Sequence, residues 1–171
     1  MPLIVEDGSG IPGANSYVTL AEAEDYFALK GVTVDLIEAD LVNATQYLDL
    51  MFGMAYNGRL ADDDQSLLWP RTVFFDNLGR RRDANTIPNE LKVATYEAAK
   101  LSSNESLFTA TNPESNVQAF SNSVDGAVSE SKTFFSPTVT EEDFMRGRLR
   151  AYLSPILTTG GLSSLNGRRV K

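Results

Sequence analysis

Residues 3–22 read "LIVEDGSGIPGANSYVTLAE". The fold turns on whether this stretch opens a dinucleotide-binding unit or only leads into a helix. Gly8-Ser9-Gly10-Ile11-Pro12-Gly13 spells G-x-G-x-x-G after a short apolar run. In a Rossmann unit such glycines let the backbone approach a pyrophosphate, a helix opens inside the motif, and an acidic residue about 20 positions later holds the ribose. Asp35, closing the run Gly31-Val32-Thr33-Val34, imitates the last feature. The helix start does not fit. Thr19-Leu20-Ala21-Glu22 is a capping box, and Asn15-Ser16 prolongs the break before it. Glu6 and Asp7 put negative charge where a pyrophosphate would sit. A long helical pattern follows Asp35, without regular strand–helix alternation. The stretch therefore predicts a Gly/Pro turn feeding a helix, and no cofactor.

Outward from that turn, the apolar spacing is mostly helical. Leu20, Ala23, Tyr26/Phe27 and Lys30 predict a first helix over Thr19–Lys30, stopped by Gly31. Leu41, Ala44/Thr45, Leu48 and Met51/Phe52 predict a second from about Glu38 to Phe52, ended by Gly53. Residues 57–71 read as loop. A third helix begins near Pro88 and runs to about Ser102, with Leu91, Ala94/Thr95, Ala98 and Leu101 as its stripe. Within the Ser/Thr/Asn-rich region that follows, Asp125-Gly126 separates two half-alternating segments, predicting a β-hairpin over about 117–135. Thr140 caps a fourth helix with acids in its first turn and Arg146, Arg148 and Arg150 further on, and Pro155 ends or kinks it. The expected architecture is mainly α: a small bundle of about four helices with an inserted β-hairpin and an extended C-terminal tail. Residues 1–157 form the domain and 158–171 the tail.

The chain has 171 residues, with 42% hydrophobic and 22% charged, enough for one real core. Without a run of 18 apolar residues no membrane span is expected, and the N-terminus lacks the basic start and long apolar region of a secretory signal. There is no cysteine and no histidine. That removes thiolate and Ser-His chemistry and the usual zinc ligands, so an enzyme would have to rely on carboxylates, Lys, Tyr or Ser; no enzymatic activity is expected. The net charge of −8 is uneven: residues 1–70 carry −10 and residues 71–171 carry +2. Such a chain can set an acidic face of one copy against a basic face of the next, or simply be a soluble acidic protein.

Few residues stand out as sites. Asp62-Asp63-Asp64 lacks the alternating ligands and turn glycine of a calcium loop and reads as a solvated tip, so no metal is expected. Trp69 and Arg71 of Trp69-Pro70-Arg71 read as a structural anchor, a lone Trp being more often core than binding site. Arg80-Arg81-Arg82, just after Phe74-Phe75, is the best nucleic-acid candidate, since basic and aromatic groups together suit single strands. The alternative is a basic turn facing an acidic neighbour, which makes Arg80, Arg81 and Arg82 candidates for a subunit interface. An acidic chain argues against tight strand binding, because backbone affinity comes largely from neutralised phosphates.

The segments "VEDGSGIPGANSYVTLAEAEDYFALKG", "NATQYLDLMFGMAYNGRLADDDQSLLWPR", "IPNELKVATYEAAKL" and "RLRAYLSPILTTGGLSSLNGRRVK" together resemble a family of tailed-phage and prophage proteins. It is often labelled DnaT-like single-stranded-DNA-binding protein, and its members look like head–tail connectors (adaptor or neck proteins). The resemblance is weakest over 104–137. It implies a virion structural protein assembled in the host cytoplasm. Such a protein forms a homo-oligomeric ring, a dodecamer, under the portal protein, passes double-stranded DNA through its channel without specific binding, and carries a downstream neck or tail protein. It further implies that the tail docks in the portal, through Leu162, Leu165, Arg168, Arg169, Val170 and Lys171. The same resemblance carries a competing function, a single-stranded-DNA-binding replication protein.

Overall fold

The apolar stripes read from the sequence become the faces of helices in a computed structural model, which describes residues 2–104, 107, 117–124, 128–134 and 141–158. Helix α1 spans Leu20–Leu29, α2 Glu38–Phe52, α3 Asn89–Ser102 and α4 Glu141–Leu153. A two-residue antiparallel ladder pairs β1 (Phe74–Phe75) with β2 (Arg81–Arg82), and a longer one pairs β3 (Val117–Val124) with β4 (Val128–Phe134). The fold is mainly α with an inserted hairpin, as expected. The chain divides into two units, Met1–Leu107 with Leu149–Lys171, and Phe108–Arg148.

The capping box forms. Thr19 Oγ1 accepts from the Glu22 N–H at 3.1 Å, and Glu22 Oε2 accepts from the Thr19 N–H at 2.8 Å. At the other end Gly31 takes φ +68°. Its N–H reaches Ala28 O and the Val32 N–H reaches Phe27 O, both at 3.0 Å, a Schellman closure. Helix α2 starts with Asp40 Oδ2 accepting from the Ile37 N–H at 3.0 Å. Helix α2 ends at Phe52 as expected, with Gly53 as its cap, but the cap is not left-handed. It stays right-handed at φ −54° and passes into a 3₁₀ turn over Gly53–Ala55. A Cβ at Gly53 would lie 2.2 Å from Leu68 Cδ1, so any larger residue would have to displace the end of that side chain.

Helices α2 and α3 pack together through Leu41, Ala44, Leu48, Leu91, Ala94 and Ala98, all fully buried. Helix α1 inserts Ala23 and Phe27 into the same core. It is tied to α3 at its surface by Lys92–Glu22 (2.9 Å), Lys30–Glu97 (2.6 Å) and the Tyr26 hydroxyl on Glu97 (2.8 Å). Leu149, Leu153, Ile156 and Leu157 complete the core. Pro155 follows the last helical turn, and the chain is then held by the Asn57 N–H on Ile156 O and the Asn77 N–H on Pro155 O.

The stretch read as loop has its own ladder. Thr72 N–H donates to Arg59 O at 2.8 Å, Ala61 N–H to Pro70 O at 3.2 Å, and Leu60 bridges Arg71. In the second unit Val124 pairs with Val128, so β3 and β4 are joined through 125–127. Asp125-Gly126 lies outside the described residues.

Candidate nucleic-acid interface

The G-x-G-x-x-G loop does cradle an anion, and the anion is its own. Glu6 is 1% exposed. Its Oε1 accepts from the N–H groups of Gly8 and Gly10, both at 2.8 Å, and its Oε2 from that of Ile11 at 2.7 Å. Successive backbone N–H groups turned toward one point form an anion nest, here filled by a carboxylate two residues upstream. The loop is closed from behind by Asn15, whose N–H and Oδ1 both bond Ile4, and by the Glu6 N–H on Ser16 O. Gly8 has φ +109°, and a Cβ there would lie 2.2 Å from Asn85 O.

Trp69 and Arg71 sit inside, Trp69 1% and Arg71 8% exposed. Arg71 Nη1 donates to the carbonyls of Tyr56 (2.8 Å), Asn57 (3.2 Å) and Gly58 (2.9 Å), and Nε to that of Leu68 (3.1 Å). Its guanidinium also faces the rings of Tyr56 and Trp69. Burial pulls its pKa below the ordinary arginine value, against the neighbouring Tyr17, Tyr56 and Asp49.

Asp49 was not anticipated as a site residue. Burial drives its carboxyl up to about 6, against the Tyr17 hydroxyl on both oxygens (2.8 Å each), the Leu68 N–H and the Arg71 charge. A raised carboxyl pKa means the folded state binds the proton more tightly than the unfolded one. The Asp49 contribution to stability is therefore greatest below about pH 4, falls as pH rises toward 6, and is level above, opposite in direction to that of Asp76. The full loss is on the order of 3 kcal/mol at 1.36 kcal/mol per unit. Asp49→Asn should flatten this slope and raise stability at pH 8 by about 2 kcal/mol. Chemical denaturation at pH 5 and pH 8 measures both, and an unchanged slope in the variant would assign it to other groups.

The three arginines after Phe74-Phe75 separate by face. Phe74 pairs with Arg82 and Phe75 with Arg81, and cross-strand partners share a face. The inner face is spent on structure. Phe74 meets Trp69 with ring centroids 5.9 Å apart. Arg80 Nε and Arg82 Nε both donate to Asp76 Oδ2 at 2.9 Å, and their Nη2 groups both reach Glu90 Oε1. Burial of Asp76 would raise its pKa, yet these arginines and the backbone N–H groups of Arg80 and Leu78 hold it at about 2. The acidic groups that Arg80 and Arg82 meet thus lie in their own chain, with the Arg80 side chain still half exposed.

The outer face carries Phe75, 66% exposed, opposite Arg81, whose side chain is 64% exposed and meets Asp83 at 3.4 Å. Val73 and Leu78 are exposed beside them. Asn57 Nδ2 donates to Phe75 O at 3.3 Å, and Asn77 Nδ2 to the carbonyls of Ser154 and Leu157 at 2.7 Å each, so the hairpin is held on the core at both ends. An exposed aromatic face next to an arginine is the pairing that a base and its phosphate require. Asp62-Asp63-Asp64 forms an exposed turn closed by Gln65 Oε1 on the Ala61 and Asp62 N–H groups. The six tail residues Leu162, Leu165, Arg168, Arg169, Val170 and Lys171 lie outside the described residues.

Fold and surface define a small, mainly helical protein that displays an aromatic–basic hairpin. A family model described as "Putative DnaT-like ssDNA binding protein" matches residues 1–170, and the chain belongs to that family. No curated protein and no solved structure significantly matches it. The match corrects the main functional expectation. It points to a single-strand binder, and nothing in it supports a virion connector ring, a portal or neck partner, or a channel through which duplex DNA slides unbound.

Proposed function

We propose that the protein binds single-stranded DNA through the outer face of the β1–β2 hairpin, and that it acts by binding without catalysis. The observation that carries this reading is Phe75 opposite Arg81, both exposed on a hairpin whose inner arginines are already paired. Family membership supports the same ligand. Phe75 offers a stacking face that any base can use, and Arg81 a cation for the adjoining phosphate. Because the chain is acidic overall, long-range attraction contributes little and stacking must supply much of the affinity. Such a binder serves wherever duplex is opened, replication included.

Fluorescence anisotropy with a labelled oligothymidine tests this at several salt concentrations. Phe75→Ala should weaken binding by about tenfold, the loss of one stacked base. Arg81→Ala should weaken it less and reduce the salt slope by about 0.7, the value for one single-strand phosphate contact. Both residues are exposed, so folding should be intact in each variant. Wild-type protein that does not bind the oligomer would end the reading, and variants that bind as wild type would move the interface elsewhere.

A further inference from the structure

Arg59 is an exposed cation that meets no carboxylate and no ring among the described residues. Its backbone is fixed. Arg59 O accepts from the Thr72 N–H at 2.8 Å, and the Arg59 N–H donates to Thr72 Oγ1 at 3.3 Å. Thr72 leads through Val73 into β1, which carries the exposed Phe75. The segment before Arg59 lies against the same strand. Asn57 Nδ2 donates to Phe75 O at 3.3 Å. Gly58, at φ +80°, comes so near that a Cβ would sit 3.0 Å from Phe74 Cδ1 and 3.4 Å from Thr72 O. Glycine takes that conformation without strain. Asn57-Gly58 thus sets Arg59 beside one end of the stretch 72–75, whose other end holds Phe75 opposite Arg81.

We propose that Arg59 is a second phosphate contact of the single-strand site, so that a strand crosses the hairpin from Arg81 over Phe75 to Arg59. The proposal rests on the hairpin reading and extends it from one base to a path. Thr72 and Phe75 are separated by about 10 Å of extended chain. Arg81 lies directly across from Phe75, about 5 Å away between Cβ atoms. Two cations therefore flank one stacking ring over about 15 Å, roughly four nucleotides at the stacked spacing of about 3.4 Å. Val73, partly exposed, adds apolar surface between Thr72 and Phe75. The path has a stop. Asp62, Asp63 and Asp64 follow Arg59 on an exposed turn, without an ion-pair partner among the described residues, and repel a phosphate backbone that runs on that way. So short a path suits an acidic protein, because only the few phosphates within a Debye length of the two cations need neutralising.

Anisotropy of a labelled oligothymidine across a salt series tests the path with the full chain. Arg59→Ala should weaken binding severalfold and lower the slope of log affinity against log salt by about 0.7, the value for one single-strand phosphate. Arg59→Ala with Arg81→Ala should lower it by about 1.4, since the two contacts add. Arg59→Lys keeps the charge and should restore the slope. The bonds from position 59 to Thr72 use main-chain groups, so folding should be intact in each variant. Lys100→Gln removes the same charge about 15 Å along α3 from Glu90, which holds the hairpin, and should leave the slope unchanged. If Phe75→Ala and Arg81→Ala weaken binding while Arg59→Ala keeps the wild-type slope, Arg59 leaves the site and the hairpin reading stands. An equal fall in Lys100→Gln would assign the effect to net charge and overturn the proposal. A lysine at 59 that did not restore the slope would overturn it too, because a phosphate contact depends on the charge. Wild-type protein that does not bind the oligomer would end both readings.

Discussion

Glu6→Ala should cost about 3–5 kcal/mol of folding stability, far more than a substitution in a glycine-rich turn would ordinarily suggest. Three backbone N–H groups, those of Gly8, Gly10 and Ile11, have the Glu6 carboxylate as acceptor. A hydrogen bond to a charged group contributes about 1.5–3 kcal/mol, and a buried donor left unpaired carries its desolvation penalty. Water can reach Gly10 and Ile11 in part, so the loss is smaller than three full bonds. It is not confined to the loop. The Glu6 N–H bonds Ser16 O, and Tyr17 and Val18, next in sequence, are fully buried core. Glu6→Gln keeps one acceptor oxygen but turns an amide donor toward a nest of donors, so it should fall between. Urea unfolding of the three proteins gives the ranking. An alanine variant within about 1 kcal/mol of wild type would mean that solvent satisfies the nest as well as the carboxylate does.

How far the sequence reaches is clear from particular elements. Thr19 and Glu22 settled the start of α1, and the apolar spacing placed α2 over the same Glu38–Phe52 that the structure shows. These signals are local: a capping residue and a period of 3.6 act over one or two turns. The β1–β2 hairpin was not legible, because two-residue strands have no period to detect. The sequence shows the charge of Glu6 beside the glycines, but its place inside the nest depends on Asn15 closing the loop, eleven residues from Ile4. The candidate site was half visible. Phe74-Phe75 and Arg80-Arg81-Arg82 were noticed together. Which aromatic and which arginine face water follows only from the register and from Asp76 and Glu90 claiming two of the three cations. Net charge then misled the functional weighing. It is a sum over the whole surface, whereas binding a strand depends on the few groups within a Debye length of the phosphates.

Arg71→Met is the second large effect, and it links the core to the proposed interface. Methionine keeps much of the apolar length of the side chain but none of its donors. The carbonyls of Tyr56, Asn57, Gly58 and Leu68 would lose their guanidinium partner at once. Asp49, buried nearby, would lose the positive charge that holds its pKa down. Removing one member of a buried charged network costs about 3–5 kcal/mol. Arg71→Lys should recover less than half of that, because a single ammonium has three donors on a point and cannot span carbonyls on both sides of the ladder. The effect should reach the hairpin. Asn57 accepts from Arg71 through its carbonyl and holds Phe75 O through its side chain, so loosening 56–58 loosens the strand that presents Phe75. Oligonucleotide affinity should therefore fall in Arg71→Met even at temperatures where the protein remains folded, with the salt slope unchanged because Arg81 is intact. Denaturant titration and anisotropy on the same samples separate the two effects. A lysine variant as stable as wild type would show that charge, and not the spread of donors, is what this position supplies. Lost stability with undiminished DNA affinity would detach the interface from the anchor beneath it.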